Sequence, residues 1–258
     1  MRLLIDPPLD GATNMARDEA LLASHARGTA PATLRLYGWS PACLSLGRFQ
    51  RSGEIDRGAC ERAGVAVVRR PSGGRALLHD CELTYTLVIG TDTPLGQGTI
   101  CQSYQRISAG LLAGLLHLGA QATLAPSGRE RQAANAACYA TSAAYELLVD
   151  GRKLVGSAQT RRENALLQHG SLPIASNGEQ LSALLHHPPT HLDKRIATLD
   201  AALGYTPTFD DIAEALVAGC SEAWGVQFVR GAWQASELAL ADELRTTTYA
   251  NETWTYAR

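Results

Sequence analysis

The sequence lacks both a long apolar segment and an excess of charge of either sign. Its longest stretch without Asp, Glu, Lys or Arg runs from Ile107 to Gly128, and glycines and polar residues interrupt it, unlike a membrane-spanning helix. The formal net charge at pH 7 is −2. Bulk electrostatics therefore gives no reason to expect a nucleic acid or an anionic membrane as a partner, although a local basic spot is compatible with this balance.

The motifs that mark common nucleotide and metal sites are also absent. The six cysteines, at positions 43, 60, 81, 101, 138 and 220, lie at least 17 residues apart, so no Cys-x-x-Cys pair indicates a zinc ribbon. Gly96-Gln-Gly98 lacks the third glycine of a dinucleotide fingerprint, and there is no phosphate-binding G-x-x-x-x-G-K-[ST] loop. His186, His187 and His191 surround a Pro-Pro pair in a spacing that fits no standard zinc pattern, so we expect no metal.

The sequence does have the length and apolar content for a sizeable core. With 258 residues, 45% of them apolar, it suits one large or two small domains. Residues Met1 to Pro8 hold too few apolar side chains for the core of a signal peptide. We therefore expect a cytoplasmic enzyme or binding protein whose cysteines are thiols.

Alternating apolar residues predict several short strands. The strands expected are 34–37, 43–47, 65–69, 75–79 and 83–89. A helix over roughly 14–27 is predicted to begin at a capping residue, Thr13 or Asn14, with Asp18 in its first turns. Many short strands with few helices favour an α+β fold, with a mostly antiparallel sheet covered by helices.

Local sequence signals also predict a helix, two hairpins and a long loop in the middle of the chain. An apolar face from Tyr104 to Leu118 predicts a helix that covers the sheet. Asp150-Gly151 between two apolar runs predicts a β-hairpin, because both residues accept the positive φ of a type I′ turn, and a second hairpin is expected around 162–164. The intervening segment, 121–143, is predicted as a long loop that carries Cys138.

The chain changes character after Pro173, where short helices are predicted at about 210–223 and 236–244. We therefore expect a catalytic domain over residues 1–205 and a small C-terminal extension over 206–258 that packs on it.

Two segments are candidates for ligand contact. In Arg69 to Asp80, RRPSGGRALLHD, the paired glycines allow close backbone approach and the flanking arginines can hold an anion. Lys153 follows a hairpin turn and precedes the small residues 156–158. A tight hairpin with solvated charges explains the first pattern equally well, and an ordinary exposed lysine explains the second. Cys138 alone is also compatible with a small buried side chain that only fills space in the core.

Taken together, these segments resemble a known family. They are RRPSGGRALLHDCELTY over 69–85, GRKLVGSAQ over 151–159 and LQHGS over 167–171. In this order they are similar to the lipoate–protein ligase and octanoyltransferase superfamily, and the similarity extends from Gly11 to Trp254. The resemblance implies the catalytic fold that this superfamily shares with biotin ligases, which is class II synthetase-like.

Three features resemble the octanoyltransferases of this superfamily more than its ATP-dependent ligases. They are Arg75, the segment Glu82 to Tyr85, and Ala137-Cys138-Tyr139. Tyr139 departs from the phenylalanine that is usual there. The resemblance implies that Cys138 is the catalytic nucleophile and that Lys153 lowers the pKa of its thiol. The residues that it implies bind substrate are Arg69, Arg70, Ser72, Gly73, Gly74, Arg75, His79, Gly156, Ser157, Ala158, Gln159, His169 and Gly170.

The implied reaction is transfer of an octanoyl group from octanoyl-acyl carrier protein to a lysine of a lipoyl domain, through a cysteine thioester and without cofactor or metal. Acceptors of this kind are the glycine cleavage H protein and dehydrogenase E2 subunits. Neither a nucleic acid nor a membrane is expected as a partner.

Two alternative functions stay open. One is an ATP-dependent lipoate or octanoate ligase, and the other is a non-catalytic protein that binds acyl chains or lipoyl domains, against which the co-occurrence of Cys138 and Lys153 argues.

Overall fold

The structure, a computed structural model, describes residues 1–125 and 145–258. Within these ranges the strands are β1 (Arg2–Ile5), β2 (Thr33–Tyr37), β3 (Cys43–Leu46), β4 (Ala66–Arg69), β5 (Leu77–His79), β6 (Glu82–Gly90), β7 (Thr123–Leu124), β8 (Leu147–Val149), β9 (Arg152–Arg162), β10 (Ala165–Pro173) and β11 (Val229–Arg230). The α-helices are α1 (Gly11–Ala26), α2 (Arg57–Arg62), α3 (Ile100–His117), α4 (Gly178–Ala183), α5 (Leu199–Leu203), α6 (Phe209–Trp224), α7 (Ala235–Leu244) and α8 (Glu252–Thr255). Short 3-10 turns cover Ser52–Glu54 and Asp193–Arg195, and a π-helical turn covers Arg245–Tyr249.

The strands form two sheets. The large sheet has the order β11-β1-β2-β6-β10-β9-β8-β7, and the small one has the order β4-β3-β5. In the large sheet β1 runs parallel to β2 and β11, whereas the pairings from β2 across to β7 are antiparallel. The expected α+β fold with a mostly antiparallel sheet is confirmed.

The two faces of the large sheet are covered by different helices, which explains the alternation along β2. Leu34 and Leu36 join the core that includes side chains of α3 and α6. Arg35 and Tyr37 point to the opposite face, where both contact Asp18 of α1. Successive side chains of a strand point to opposite faces of its sheet. Strand β2 therefore supplies apolar side chains to the face covered by α3 and α6, and Arg35 and Tyr37 to the face covered by α1.

Helix α1 begins earlier than the sequence predicts. Its N-cap is Asp10, whose side chain accepts a hydrogen bond from the backbone N–H of Thr13, so Thr13 and Asn14 lie inside the helix. Asp18 is therefore in the third turn of the helix, and it is completely buried. Its carboxylate faces the sheet instead of stabilising the start of the helix.

Both predicted hairpins are present. Asp150 and Gly151 have φ values of 49° and 73° and connect β8 to β9. Glu163, with φ 52°, lies in the turn between β9 and β10. The predicted loop over 121–143 is wrong at its start, because Thr123 and Leu124 form β7 and pair with β8. Residues 126–143 lie outside the described residues.

The C-terminal segment is integrated with the rest of the fold. Helix α6 packs against α3, and a Cβ on Gly219 would lie 2.1 Å from the backbone nitrogen of Gly114, so the two helices touch through their backbones. Strand β11 extends the large sheet and α7 packs against α1. The division at residue 205 stays a prediction. Among the described residues, no helix combines the length and the apolar character needed to span a membrane.

Candidate active site

A narrow apolar cleft lies between the α1 side of the large sheet and the small sheet. It has about 340 Å³ of empty volume, counting its open mouth. The residues that line it are Met15, Tyr37, Trp39, Arg70, Leu77, His79, Thr84, Gly156, Ser157, Ala158, His169, Gly170 and Ser171.

His169 connects this cleft to two buried side chains. Its Nδ1 lies 3.1 Å from Asp18 Oδ2, and its Nε2 lies 2.5 Å from Ser72 Oγ. Burial alone would raise the pKa of Asp18, but hydrogen bonding to His169, the Arg35 charge and the Thr86 hydroxyl more than offset this, and the pKa of Asp18 is lowered. Asp18 is thus an ionised acceptor, which holds the proton of His169 on Nδ1 and leaves Nε2 to accept from the Ser72 hydroxyl.

His169 is neutral in this arrangement. Burial is the largest influence and lowers the pKa of His169. Repulsion from Arg70 and His79 lowers this pKa further, whereas the hydrogen bond to Asp18 and the charge of Asp18 raise it. Because a histidine ordinarily titrates near pH 6.5, a lowered pKa keeps the ring uncharged at neutral pH.

His79 repeats this pattern on the facing wall. Its Nδ1 lies 2.8 Å from Glu82 Oε1, and its Nε2 lies 2.8 Å from Ser45 Oγ. The ring stacks on Trp39, with centroids 3.9 Å apart and planes inclined by 12°. In each histidine, Nδ1 contacts a carboxylate and Nε2 contacts a serine hydroxyl within the protein. Neither ring therefore directs an unbonded nitrogen into the cleft.

The Ser72–Gly74 turn is fixed by Arg70. The Arg70 guanidinium donates to the carbonyl of Gly73 at 2.8 Å and to that of Ser45 at 3.0 Å. Gly74 has φ 98°, a backbone conformation that favours glycine, and a Cβ on Gly47 would lie 2.1 Å from the Gly74 carbonyl oxygen. The paired glycines of the motif thus permit close packing between two loops.

Lys153 and Glu146 form a buried ion pair. The Lys153 Nζ donates to Glu146 Oε1 at 2.5 Å, and each residue is only 4% exposed. The other carboxylate oxygen of Glu146 has no hydrogen-bond partner among the described residues. Lys153 lies four residues before Ser157 on β9, which places their Cα atoms about 13 Å apart at the usual rise of a strand.

Comparison with known proteins identifies the family. A model of the lipoyl protein ligase A/B catalytic domain matches residues 10–221. The chain is 41% identical to octanoyltransferase LipM of Kyrpidia tusciae, over 100% of this chain and 98% of the relative. It is 42% identical to octanoyltransferase LipM of Moorella thermoacetica, over 98% and 96% of the two chains.

The chain belongs to the lipoyl protein ligase A/B catalytic-domain family. The expected superfamily and the expected enzyme class, an acyltransferase, are both confirmed.

Solved structures agree with the fold of this family. A lipoate-protein ligase A bound with ATP superimposes with a TM-score of 0.85 at 24% identity, over 99% of this chain and 98% of that one. A bi-partite lipoate protein ligase from Thermoplasma acidophilum gives a TM-score of 0.81 at 24% identity, over 99% and 95%. At these identities the likeness shows the fold alone.

The structure places the predicted family residues in three groups. Seven line the cleft: Arg70, His79, Gly156, Ser157, Ala158, His169 and Gly170. Ser72 lies behind His169, and Gly73 and Gly74 complete its turn. Arg69, Arg75 and Gln159 make their contacts elsewhere, with backbone carbonyls, with Glu54 and with Ser103, respectively. The binding roles of all these residues stay predictions, and Cys138 lies outside the described residues.

Sequence reasoning missed the carboxylates that orient the histidines. For Asp18 a signal was present, because Met15, Asp18 and Leu22 follow the spacing of one helical face, and an acid on an otherwise apolar face indicates a buried partner. Glu82 and Glu146 stand at or near the ends of strands, and nothing local distinguishes them from exposed acids.

We predict a pH signature of buried His169. Because its pKa is lowered by folding, the unfolded chain takes up a proton near pH 6.5 that the folded chain does not. The unfolding free energy should therefore fall as the pH drops below about 6.5, by up to about 1.4 kcal/mol per pH unit from this residue, until the folded-state pKa is reached. Denaturant titrations of the parent and of His169→Asn, which retains an amide donor toward Asp18, measure the difference.

The same substitution at exposed His187 is the matched control for loss of an ordinary histidine. Equal pH slopes for the parent and for His169→Asn would contradict the neutral, buried ring.

Proposed function

We propose that the protein transfers an octanoyl group from the thioester of an acyl carrier protein to a lysine of a lipoyl domain, through a thioester on Cys138. The observation that carries the proposal is the apolar cleft with buried Lys153 farther along the same strand. Full-length similarity to octanoyltransferases supports the acyl group. A ligase of the same fold was studied together with its E2 lipoyl domain, which supports the class of acceptor.

The cleft suits an acyl chain because the ring nitrogens of both its histidines are bonded within the protein. Ring nitrogens with such partners leave no unsatisfied polar atom against a hydrocarbon. The chain would lie beside Gly156 to Ala158 with its carbonyl toward Lys153. Trp39, stacked on His79, lines the same cleft.

The chemistry consists of two acyl transfers. The Cys138 thiolate attacks the donor carbonyl, the bond to the carrier sulfur breaks, and that sulfur leaves as a thiolate that takes up a proton. The neutral amine of the acceptor lysine then attacks the enzyme thioester, Cys138 leaves as a thiolate, and the amine loses a proton to form the amide. A thioester is converted to an amide, so the reaction needs no ATP.

Lys153 can favour the Cys138 thiolate only at close range, because Glu146 opposes it. At an effective dielectric constant of about 20, an ammonium about 4 Å from the sulfur attracts it by about 4 kcal/mol, and a carboxylate about 6.5 Å away repels it by about 2.5 kcal/mol. The net attraction of about 1.5 kcal/mol corresponds to about one pKa unit. Such a decrease raises the thiolate fraction of an ordinary cysteine several-fold at neutral pH.

We predict that octanoyl-acyl carrier protein alone acylates the enzyme. Mass spectrometry should show one octanoyl group, hydroxylamine should remove it because it is a thioester, and Cys138→Ala should remain unlabelled. Labelling of a different cysteine would contradict the assignment. Cys43 and Cys220 are poor candidates, since burial raises the pKa of both thiols.

A ligase is distinguished in the same assay. The protein is incubated with free octanoate or lipoate, ATP and a lipoyl domain. Modified domain formed under these conditions, together with no self-acylation by the carrier, would favour the ATP-dependent alternative. No modification with either donor would favour a binding protein.

We predict opposite effects of the two members of the ion pair on Cys138. Lys153→Ala should raise the pH at which Cys138 alkylates and slow self-acylation, whereas Glu146→Gln should lower that pH by up to about two units, because it keeps the acceptor for Lys153 and removes the opposing charge. Alkylation rates with iodoacetamide across pH 5–10 measure both shifts.

Lys153→Arg separates charge from shape in this experiment. It keeps the cation but replaces a compact ammonium by a broad guanidinium, so alkylation should be partly retained and acyl transfer impaired. A Lys153→Ala variant that alkylates like the parent would remove Lys153 from the site.

A further inference from the structure

Phe49 and three arginines form an exposed basic and aromatic surface, here called the Phe49 patch. Phe49 is 65% exposed, and Arg48, Arg51 and Arg258 are exposed around it. The guanidinium carbons of Arg48 and Arg258 lie 5.9 and 5.3 Å from the centre of its ring. Across the described ranges, none of these three arginines forms an ion pair with a side-chain carboxylate. The main-chain oxygen of Arg258 accepts hydrogen bonds from Ser52, beside Arg51.

Buried Arg69 adds to the positive charge of the patch. It is 1% exposed and donates to the carbonyls of Gly47, Gln50 and Thr255 at 2.7–3.0 Å. No carboxylate within the described residues pairs with it, and its Nη2 has no hydrogen-bond partner there. A cation bonded only to neutral carbonyls contributes its potential to the surface above it. Arg69 also holds the loop that carries Phe49 in place.

The patch adjoins the cleft. The backbone N–H of Arg48 donates to the Ser72 carbonyl at 2.8 Å, and the Ser72 hydroxyl donates to His169, which lines the cleft. Gly47 packs against the Gly74 carbonyl. A partner seated on Phe49 would therefore lie beside the turn that forms one side of the site.

We propose that the Phe49 patch is the docking surface for the acyl carrier donor, an inference that rests on the proposed function. Arginine binds carboxylates and phosphates through paired hydrogen bonds, and an aromatic side chain among arginines is typical of an interface anchor. A carrier protein delivers its acyl group on an arm joined by a phosphodiester, which brings an anion to the site. The acceptor brings a lysine ammonium, which three guanidiniums repel. The charge of the patch therefore matches the donor.

The test compares two donors and two double variants. Arg48→Glu/Arg51→Glu reverses the charge of the patch. Arg27→Glu/Arg230→Glu makes the same change at exposed arginines at the end of α1 and in β11. The donors are octanoyl-acyl carrier protein and octanoyl-N-acetylcysteamine, a neutral thioester without protein or phosphate. The measured quantity is the second-order rate constant of self-acylation at low and high salt.

With the carrier donor, the patch variant should react at least about tenfold more slowly than the parent at low salt, and added salt should narrow the gap. The control variant should match the parent. With the small thioester all three proteins should react equally, which also shows that the variants are folded.

Other outcomes would overturn the inference. An undiminished rate of the patch variant with the carrier donor excludes docking there, and an equal loss with both donors means that the arginines act on the site itself. If only transfer from preformed acyl-enzyme to the lipoyl domain is slowed, the patch serves the acceptor. If the parent reacts with neither donor, the proposed function is wrong as well, which distinguishes its failure from that of the patch alone.

Discussion

The carboxylate of Asp18 joins the elements that build the cleft. It is completely buried, accepts hydrogen bonds from Arg35, Tyr37 and Thr86, and contacts His169. One side chain of α1 thereby fixes strands β2, β6 and β10. Removing one partner of a buried pair typically costs about 3–5 kcal/mol, because the remaining charge is left unpaired. The orientation of His169, and through it of the Ser72–Gly74 turn, depends on this contact.

The histidines of the cleft and the Lys153–Glu146 pair are two buried charge arrangements with different consequences. His79 and His169 are held by a carboxylate and a serine, so their polarity is satisfied inside the walls and the cleft stays apolar. Lys153 and Glu146 are likewise paired, but their pair is asymmetric, since one oxygen of Glu146 lacks a partner among the described residues. We propose that the apolar cleft takes the uncharged acyl group and that the nearly compensated ion pair favours the Cys138 thiolate only at short range.

Local sequence signals predicted the elements whose form is decided locally. The Asp150-Gly151 turn requires two positive φ angles, and the apolar face of α3 follows from its spacing alone, so both were predicted correctly. The start of α1 was wrong because Asp10, Thr13 and Asn14 are all capping residue types, and only the contact of Asp10 with the Thr13 amide decides among them. That error placed Asp18 at the helix start and hid its role.

Contacts between distant segments could not be predicted in this way. The pairs Asp18–His169 and Ser45–His79 are separated by 151 and 34 residues. Family resemblance supplied both histidines as site residues, but it did not supply the carboxylates behind them, nor Glu146 beside Lys153. The Phe49 patch also depends on the tertiary fold, because Arg258 reaches Phe49 from the other end of the chain.

The central claim is that one cysteine carries the acyl group between the two partners. The most direct test isolates enzyme loaded with radiolabelled octanoyl group, removes the donor, and adds a lipoyl domain without ATP. The account predicts that the label leaves the enzyme and appears on the acceptor lysine as a hydroxylamine-resistant amide, in equal amounts. Label that stays on the enzyme or appears only as free octanoate would contradict it.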